Sequence, residues 1–340
     1  MNLNEDRYAR FRLVREMLET PGIVARFDPA AVQAFVPALR EARGLFLTGE
    51  GSSRLFPAKR AMADALRRGL RFPVLSETCT QALEYDLSPF AVFAASNSGK
   101  TREVVRLFQH LRDRGHEARF ALTVFADSPL AGLAASSLIL GCGPEQAVAA
   151  TKSVVEQALV YDALLRALDG ASMDGLPELA SVMEKVLSAP VPPAVLEPLA
   201  AAPTVYFVGR NDGVAEELTL KTYETTRKKA LFLEGTFALH GIEEIMDAPE
   251  ALVLIEPFEA EEATFHRRFV QELGLPVVAV ASRDTAFPTL RVPPSSGYAP
   301  YLQLAAGWAI LVELGITLGL DLDHPRRARK IGNEYTEARA

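Results

Sequence analysis

Cysteine is almost absent: Cys79 and Cys142 are the only two in 340 residues. That excludes a disulfide framework and a cysteine-rich zinc site, and it fits a reducing, cytoplasmic compartment. The simplest reading of the pair is two buried apolar thiols. Long hydrophobic runs are also missing. The longest, "ALVLI" (251–255) and "PVVAVA" (276–281), are strand-length, far short of the ~20 apolar residues that span a bilayer. The opening "MNLNEDRYARF" has no apolar core of a secretion signal. Positive charge is in deficit, with a net charge of −7, which argues against a nucleic-acid partner because phosphate backbones need a basic face. The basic residues gather at 67–68, 227–229 and 326–330, so a small anion must be met by locally concentrated potential. No His/Asp/Glu spacing suits a metal, and neither metal nor cofactor is expected.

What the sequence does contain is alternation. An amphipathic stretch over about 5–27 reads as a helical arm broken by Pro21-Gly22. Apolar strand-like runs then alternate with helical patterns: strands within 44–53, 90–99 and 118–127, helices over 54–69, 101–115 and 149–168. A Pro-rich stretch at 188–203 reads as a boundary. The pattern then restarts with a strand at 204–212, a helix at 213–230, strands at 251–257 and 276–282, a weak strand at 290–294 and a helix at 301–320. Alternating strands and helices imply parallel βαβ units and a doubly wound sheet. Gly49 and Gly209 each end an apolar strand and open a helix, 160 residues apart, so the α/β domain is read as duplicated. Ligands of such sheets bind outside the carboxyl ends of the strands, which directs attention to the loops after 48, 95 and 208.

Two of those loops are rich in hydroxyls. "SNSGKT" (96–101) ends like a nucleotide-binding P-loop, but the first glycine of G-x-x-x-x-G-K-[ST] falls on Ala94. A polyphosphate site is therefore rejected. A strand–loop–helix junction still offers unpaired N–H groups and a positive dipole end, suited to a monophosphate. A plain helix cap, with Ser98 as N-cap, is the alternative on this segment alone. "GEGSS" (49–53) has Arg54 where a dinucleotide fingerprint needs its third glycine. The two loops together look like halves of one sugar-phosphate pocket.

These segments resemble the SIS (sugar isomerase) family, which includes the isomerase half of glucosamine-6-phosphate synthase and amino-sugar-phosphate isomerases, deaminases and fructosamine deglycases. The resemblance runs from about residue 8 to the end and rests on "GEGSS", "SNSGKT", "EQAVAATKSV" (145–154), "EELTLKTYETTRKKALFLEGTFALHG" (216–241) and "DHPRRARKIG" (323–332). It implies two tandem flavodoxin-like domains, three-layer α/β/α, at 28–185 and 190–322. A helical arm at 1–27 would precede them, and a tail at 323–340 would fold over the site. It implicates Ser52, Ser53, Ser96, Asn97, Ser98 and Thr101 in phosphosugar binding and the backbone near Ala150 in sugar contact. The sequence departs from the family at Lys100, where glutamate is usual.

Glu217, Lys221 and Glu224 lie at i, i+4 and i+7 on one helix face. Moving a proton between adjacent sugar carbons needs a carboxylate base and nearby cations. By resemblance Glu224 is that base, with Glu217 and Lys221 supporting it. Read from spacing alone, Glu217 and Lys221 could be an exposed ion pair. His240 is implied as the ring-opening acid/base, reaching the site from a neighbouring subunit in a homodimer; alone, it could be a core histidine. Lys330 is implied as the catalytic lysine of the tail. The chain begins Met1-Asn2 without a glutaminase segment, so the expectation is a phosphosugar aldose–ketose isomerase acting on an amino-sugar or fructosamine 6-phosphate. The alternatives are an isomerising deaminase or deglycase, and a non-catalytic sugar-phosphate sensor.

Overall fold

Two parallel sheets of five strands each organise the chain in the computed structural model, which describes residues 1–336. The first holds β1 (Gly44–Gly49), β2 (Val74–Glu77), β3 (Phe90–Ala95), β4 (Arg119–Thr123) and β5 (Ser136–Ile139), in the order β2-β1-β3-β4-β5. The second holds β6 (Thr204–Gly209), β7 (Lys229–Glu234), β8 (Ala251–Ile255), β9 (Val277–Ala281) and β10 (Thr289–Arg291), in the order β7-β6-β8-β9-β10. The two orders are the same, and both are the flavodoxin-like order 2-1-3-4-5. All pairings are parallel. The duplicated α/β reading of the sequence describes this fold.

Each sheet belongs to its own compact unit. Within the described residues, the first unit comprises Gly22–Gln146, Ala150–Pro177 and 329–336, and the second comprises Met1–Pro21, Ala147–Ala149 and Glu178–Ala328; the end of the expected tail, 337–340, lies outside the described residues. In both, the central strand is buried at every position, β1 as "GLFLTG" and β6 as "TVYFVG". A strand covered on both faces must be apolar on both, hence the continuous runs. In the first unit the helix Lys152–Asp169 packs along the helix Ser52–Arg67. There the Arg60 guanidinium donates to Asp162 at 2.9 Å, both side chains being fully buried. In the second unit the helix Val214–Thr226 packs against Ala299–Thr317. Gly307 permits that approach, since a Cβ there would lie 2.4 Å from the Leu218 side chain. Ala299–Thr317 is long and apolar enough to cross a membrane, yet 89% of its apolar stretch is buried in the fold. That is how a core helix that is apolar all round behaves. Cys79 and Cys142 are both buried free thiols.

The structure differs from the sequence reading in four places. The arm is not broken at Pro21: the helix runs Arg12–Arg26 with Pro21 inside it. Its stripe Leu13, Val14, Met17, Ile23 and Val24 is buried on both sides of the proline, and that burial outweighs the lost hydrogen bond. The Pro-rich boundary contains a helix, Pro193–Ala201, with Pro193 in its first turn, where no N–H partner is needed. The helix expected over 213–230 stops at Thr226. Arg227 turns left-handed at φ 58° and the chain enters β7. Finally β2, β5 and β7 escaped the sequence reading. All three are edge strands, and half-exposed edges do not present the continuous apolar run that marks a central strand.

Candidate functional site

In a 2-1-3-4-5 sheet the connections leave strand 1 in opposite directions, opening a crevice at the carboxyl ends of strands 1 and 3. In the first unit those ends carry "GEGSS" and "SNSGKT". The register confirms their adjacency: Gly49, the last residue of β1, pairs with Ala95, the last of β3.

The loop after β3 is held by its own hydroxyls. Ser96 is buried, and its Oγ lies 3.0 Å from Thr101 Oγ1 and accepts the Gly99 N–H at 3.2 Å. Ser98 Oγ accepts the Lys100 N–H at 3.1 Å. Gly99 has φ +62°, and a Cβ there would lie 2.2 Å from Ser128 Oγ, so glycine is needed for both conformation and space. The simple-cap alternative does not hold: the N-cap of the helix Arg102–Asp113 is Thr101, not Ser98, and Thr101 makes no side-chain cap bond. Its hydroxyl is spent on Ser96. On the β1 side, Ser52 is buried at the start of its helix, and Ser53 Oγ accepts from Gln157 Nε2 at 3.4 Å.

The tail residues of this unit lie along the same loop. Arg102 N–H donates to Asn333 O at 2.9 Å, Tyr335 N–H donates to Lys100 O at 2.8 Å, and Thr101 and Glu334 form an antiparallel bridge. Lys100 is exposed and sits 3.8 Å from Glu334. The departure from the family pattern at this position is thus matched by an acidic residue in the tail.

Behind the loop lies a residue the sequence reading passed over. Glu145 is fully buried, and its carboxylate accepts from Asn97 Nδ2 (3.0 Å), Thr151 N–H (2.7 Å), Thr151 Oγ1 (3.3 Å), Ser153 N–H (3.4 Å) and Ser153 Oγ (2.7 Å). Lys330 Nζ approaches Glu145 Oε2 at 3.5 Å. Burial opposes the charge of Glu145, but Lys330, Ser153 and the Thr151 and Ser153 N–H groups outweigh it and hold the carboxyl below the usual carboxylate range. Ala150 lies just before Thr151, the N-cap of the helix Lys152–Asp169. The signal for Glu145 was available in the sequence as an acidic residue six positions before that helix's N-cap.

In the second unit the helix Val214–Thr226 brings Glu217, Lys221 and Glu224 together. Lys221 Nζ lies 2.6 Å from Glu224 Oε2 and 3.3 Å from Glu217 Oε1. Lys221 is 1% exposed, Glu217 0% and Glu224 17%, so this is a buried charge cluster and not the exposed pair that spacing alone allowed. Burial works against the Lys221 charge, yet Glu224 and then Glu217 hold its ammonium above the ordinary lysine range. Of the two carboxylates, Glu224 is the one that reaches solvent. The helix also bends its polar capacity inward: Thr219, Thr222, Thr225 and Thr226 each donate to the carbonyl four residues back. His240 follows the short turn Phe237–Leu239 and is exposed, so it is not a core histidine. Among the described residues no group of three His, Cys, Asp or Glu could hold a metal ion.

Comparison with known proteins adds four matches. Residues 89–167 match the SIS domain model. A glutamine–fructose-6-phosphate aminotransferase (isomerizing) of Pyrobaculum aerophilum is 28% identical over 352 residues, covering 95% of this chain and 57% of that protein. The chain spans about half the length of the curated relatives it matches. Among solved structures, a Silicibacter pomeroyi protein provisionally named a phosphosugar isomerase aligns with TM-score 0.78 at 25% identity, covering 92% of this chain and all of that one. A glucosamine-6-phosphate deaminase of Thermotoga maritima aligns with TM-score 0.73 at 18% identity, covering 94% of this chain and 98% of that one.

Proposed function

We propose, from the match of residues 89–167 to the SIS domain model and the two like-ordered parallel sheets, that this chain is a phosphosugar aldose–ketose isomerase acting on an amino-sugar or fructosamine 6-phosphate. The observation that carries the reading is Glu224: a carboxylate that reaches solvent while a buried ammonium 2.6 Å away fixes one of its oxygens. A general base for carbon acids needs to be ionised, oriented and accessible on one side. Glu224 takes the proton from one of the carbons C1 and C2 and returns it to the other. Lys221 holds the carboxylate in place and balances Glu217. The phosphate binds at Ser96, Asn97, Ser98 and Thr101, with Ser52 and Ser53 on the neighbouring loop and the Ala150 backbone toward the sugar. Lys330 serves the C1–C2 end, and His240, contributed across a homodimer, opens the ring. The reaction needs no metal or redox cofactor, because only protons move. A reducing, cytoplasmic compartment is part of the proposal, and two free buried thiols are compatible with it.

The test is proton NMR in D₂O with glucosamine 6-phosphate, fructose 6-phosphate and a fructosamine 6-phosphate. The expected result is loss of a C1 or C2 proton signal in the native protein and none with Glu224→Gln. Release of ammonia or a free amino acid would make the reaction a deaminase or deglycase. Saturable binding with no exchange would make the protein a sugar-phosphate sensor. Ser98→Ala is expected to weaken binding of the phosphosugar, and unchanged affinity would remove the loop from the site.

A further inference from the structure

Glu145 is a buried anion placed against a loop that is itself read as an anion site, and that placement needs a physical reason. A carboxylate near a phosphate is repulsive, and a charge taken out of water is costly unless it is compensated. The compensation here is unusually complete. Two backbone N–H groups, two hydroxyls, one amide and one ammonium converge on one carboxylate. These donors come from three separate segments: Asn97 in the hydroxyl loop, Thr151 and Ser153 at the start of a buried helix, and Lys330 in the tail. A carboxylate needed only to cap that helix would use Thr151 and Ser153 alone. The other two partners are both residues assigned to the sugar phosphate.

Asn97 shows the consequence. Its amide group is committed to Glu145, while its Oδ1 is buried without a hydrogen-bond partner in the protein. The amide is therefore oriented by Glu145 and not by a full set of local bonds. Lys330 is the freer side chain, at 30% exposure against 0% for Glu145. A flexible lysine on a tail segment loses much side-chain entropy when fixed, and a buried carboxylate is the strongest single anchor for it.

We infer that Glu145 is a positioning residue that fixes the Lys330 ammonium and the Asn97 amide beside the hydroxyl loop and acts on the sugar phosphate only through them. The inference deepens the isomerase reading and rests on it for the consequence in turnover. Its structural half, the anchoring of Lys330, stands independently of any reaction.

The experiment has two arms. In the first, the native protein, Glu145→Gln and Glu145→Asp are acetylated under limiting acetic anhydride, and the rate at Lys330 is measured by mass spectrometry against exposed Lys229 in the same sample. Lys330 becomes several-fold more reactive relative to Lys229 in Glu145→Gln, and Glu145→Asp, which keeps the charge, stays nearer the native ratio. An unchanged ratio in Glu145→Gln overturns the inference. The second arm is a double-mutant cycle with Lys330→Met on the isomerisation. Glu145→Gln lowers kcat by about 10- to 100-fold, the scale set by misplacing a reacting group by about 1 Å, with little change in KM. The double variant is slowed by much less than the product of the two single effects, the remainder being the share of Glu145 that acts through Asn97. A double variant slowed by the product of the two single effects overturns the inference. A protein that turns over no sugar phosphate defeats the isomerase reading, while the acetylation ratio still decides whether Glu145 anchors Lys330.

Discussion

At the carboxyl end of β3 the chain continues into Ser96; at the carboxyl end of β8, which holds the same place in the second sheet, it continues into Glu256. After β1 comes Glu50, and after β6 comes Arg210. In the first unit the crevice is lined with hydroxyls. In the second, side chains at the same strand ends bond to one another. Glu256 sits at φ +46° and accepts Ser282 N–H and Ser282 Oγ at 2.9 Å each and Gln303 Nε2 at 3.0 Å. Arg210 donates to the Glu256 carbonyl and stacks 4.2 Å from the Phe258 ring centroid. Where the first unit presents hydroxyls after β3, the second presents a carboxylate after β8. One strand order thus carries two different linings: hydroxyls after β3, and after β8 a carboxylate bonded within its own unit, with the buried charge cluster on the helix Val214–Thr226 that follows β6.

The largest effect is expected at that cluster. Glu224→Gln should lower isomerisation by about 10²- to 10⁴-fold, the usual contribution of a general base, while leaving phosphosugar affinity in the first unit near native; isotope exchange and equilibrium titration measure the two separately. Gly99→Ala comes next. A left-handed backbone and a 2.2 Å approach to Ser128 Oγ should cost about 1–3 kcal/mol and weaken sugar-phosphate binding, read by denaturant melting and titration. Glu256→Ala sharpens the contrast from the other side. Removing the carboxylate leaves the Ser282 and Gln303 donors unpaired and should cost about 1–3 kcal/mol of stability with no change in sugar-phosphate affinity. Weakened binding in this variant would show that the second crevice takes part.

The smallest effect is one of pH. Glu145 is held below the usual carboxylate range, so its stabilisation is present above about pH 4.5, the ordinary value, and is lost as pH falls through the depressed one. Between pH 7 and pH 3 the native protein should therefore lose more melting temperature than Glu145→Gln. Equal losses would mean that the carboxyl is not held down by its partners.

The central strands and the hydroxyl-rich loop after β3 were legible in the sequence because burial on both faces and a strand–loop–helix junction leave local marks. β1, β3, β6, β8 and β9 all read as apolar runs. β2, β5 and β7 did not, since an edge strand needs an apolar face on one side only. The end of the helix at Thr226 was hidden because "RKKA" continues a helical pattern, and only the left-handed turn at Arg227 stops it. In the candidate site, spacing alone put Glu217, Lys221 and Glu224 on one face but could not say that the face is buried. Glu145 was legible at most as an acidic residue near a helix start, through Thr151 and Ser153, six and eight residues on; its role as a hub was not, because Asn97 and Lys330 are 48 and 185 residues away. The tail's alignment on the hydroxyl loop, with Lys100 facing Glu334, is a tertiary fact of the same kind.

The most direct test of the contrast between the two crevices is backbone amide NMR during titration with fructose 6-phosphate. The amides of Ser98, Gly99, Lys100 and Thr101 are expected to shift in a saturable manner, while those of Arg210, Asn211 and Asp212 stay in place. Saturable shifts at 210–212 with none at 98–101 would contradict this expectation.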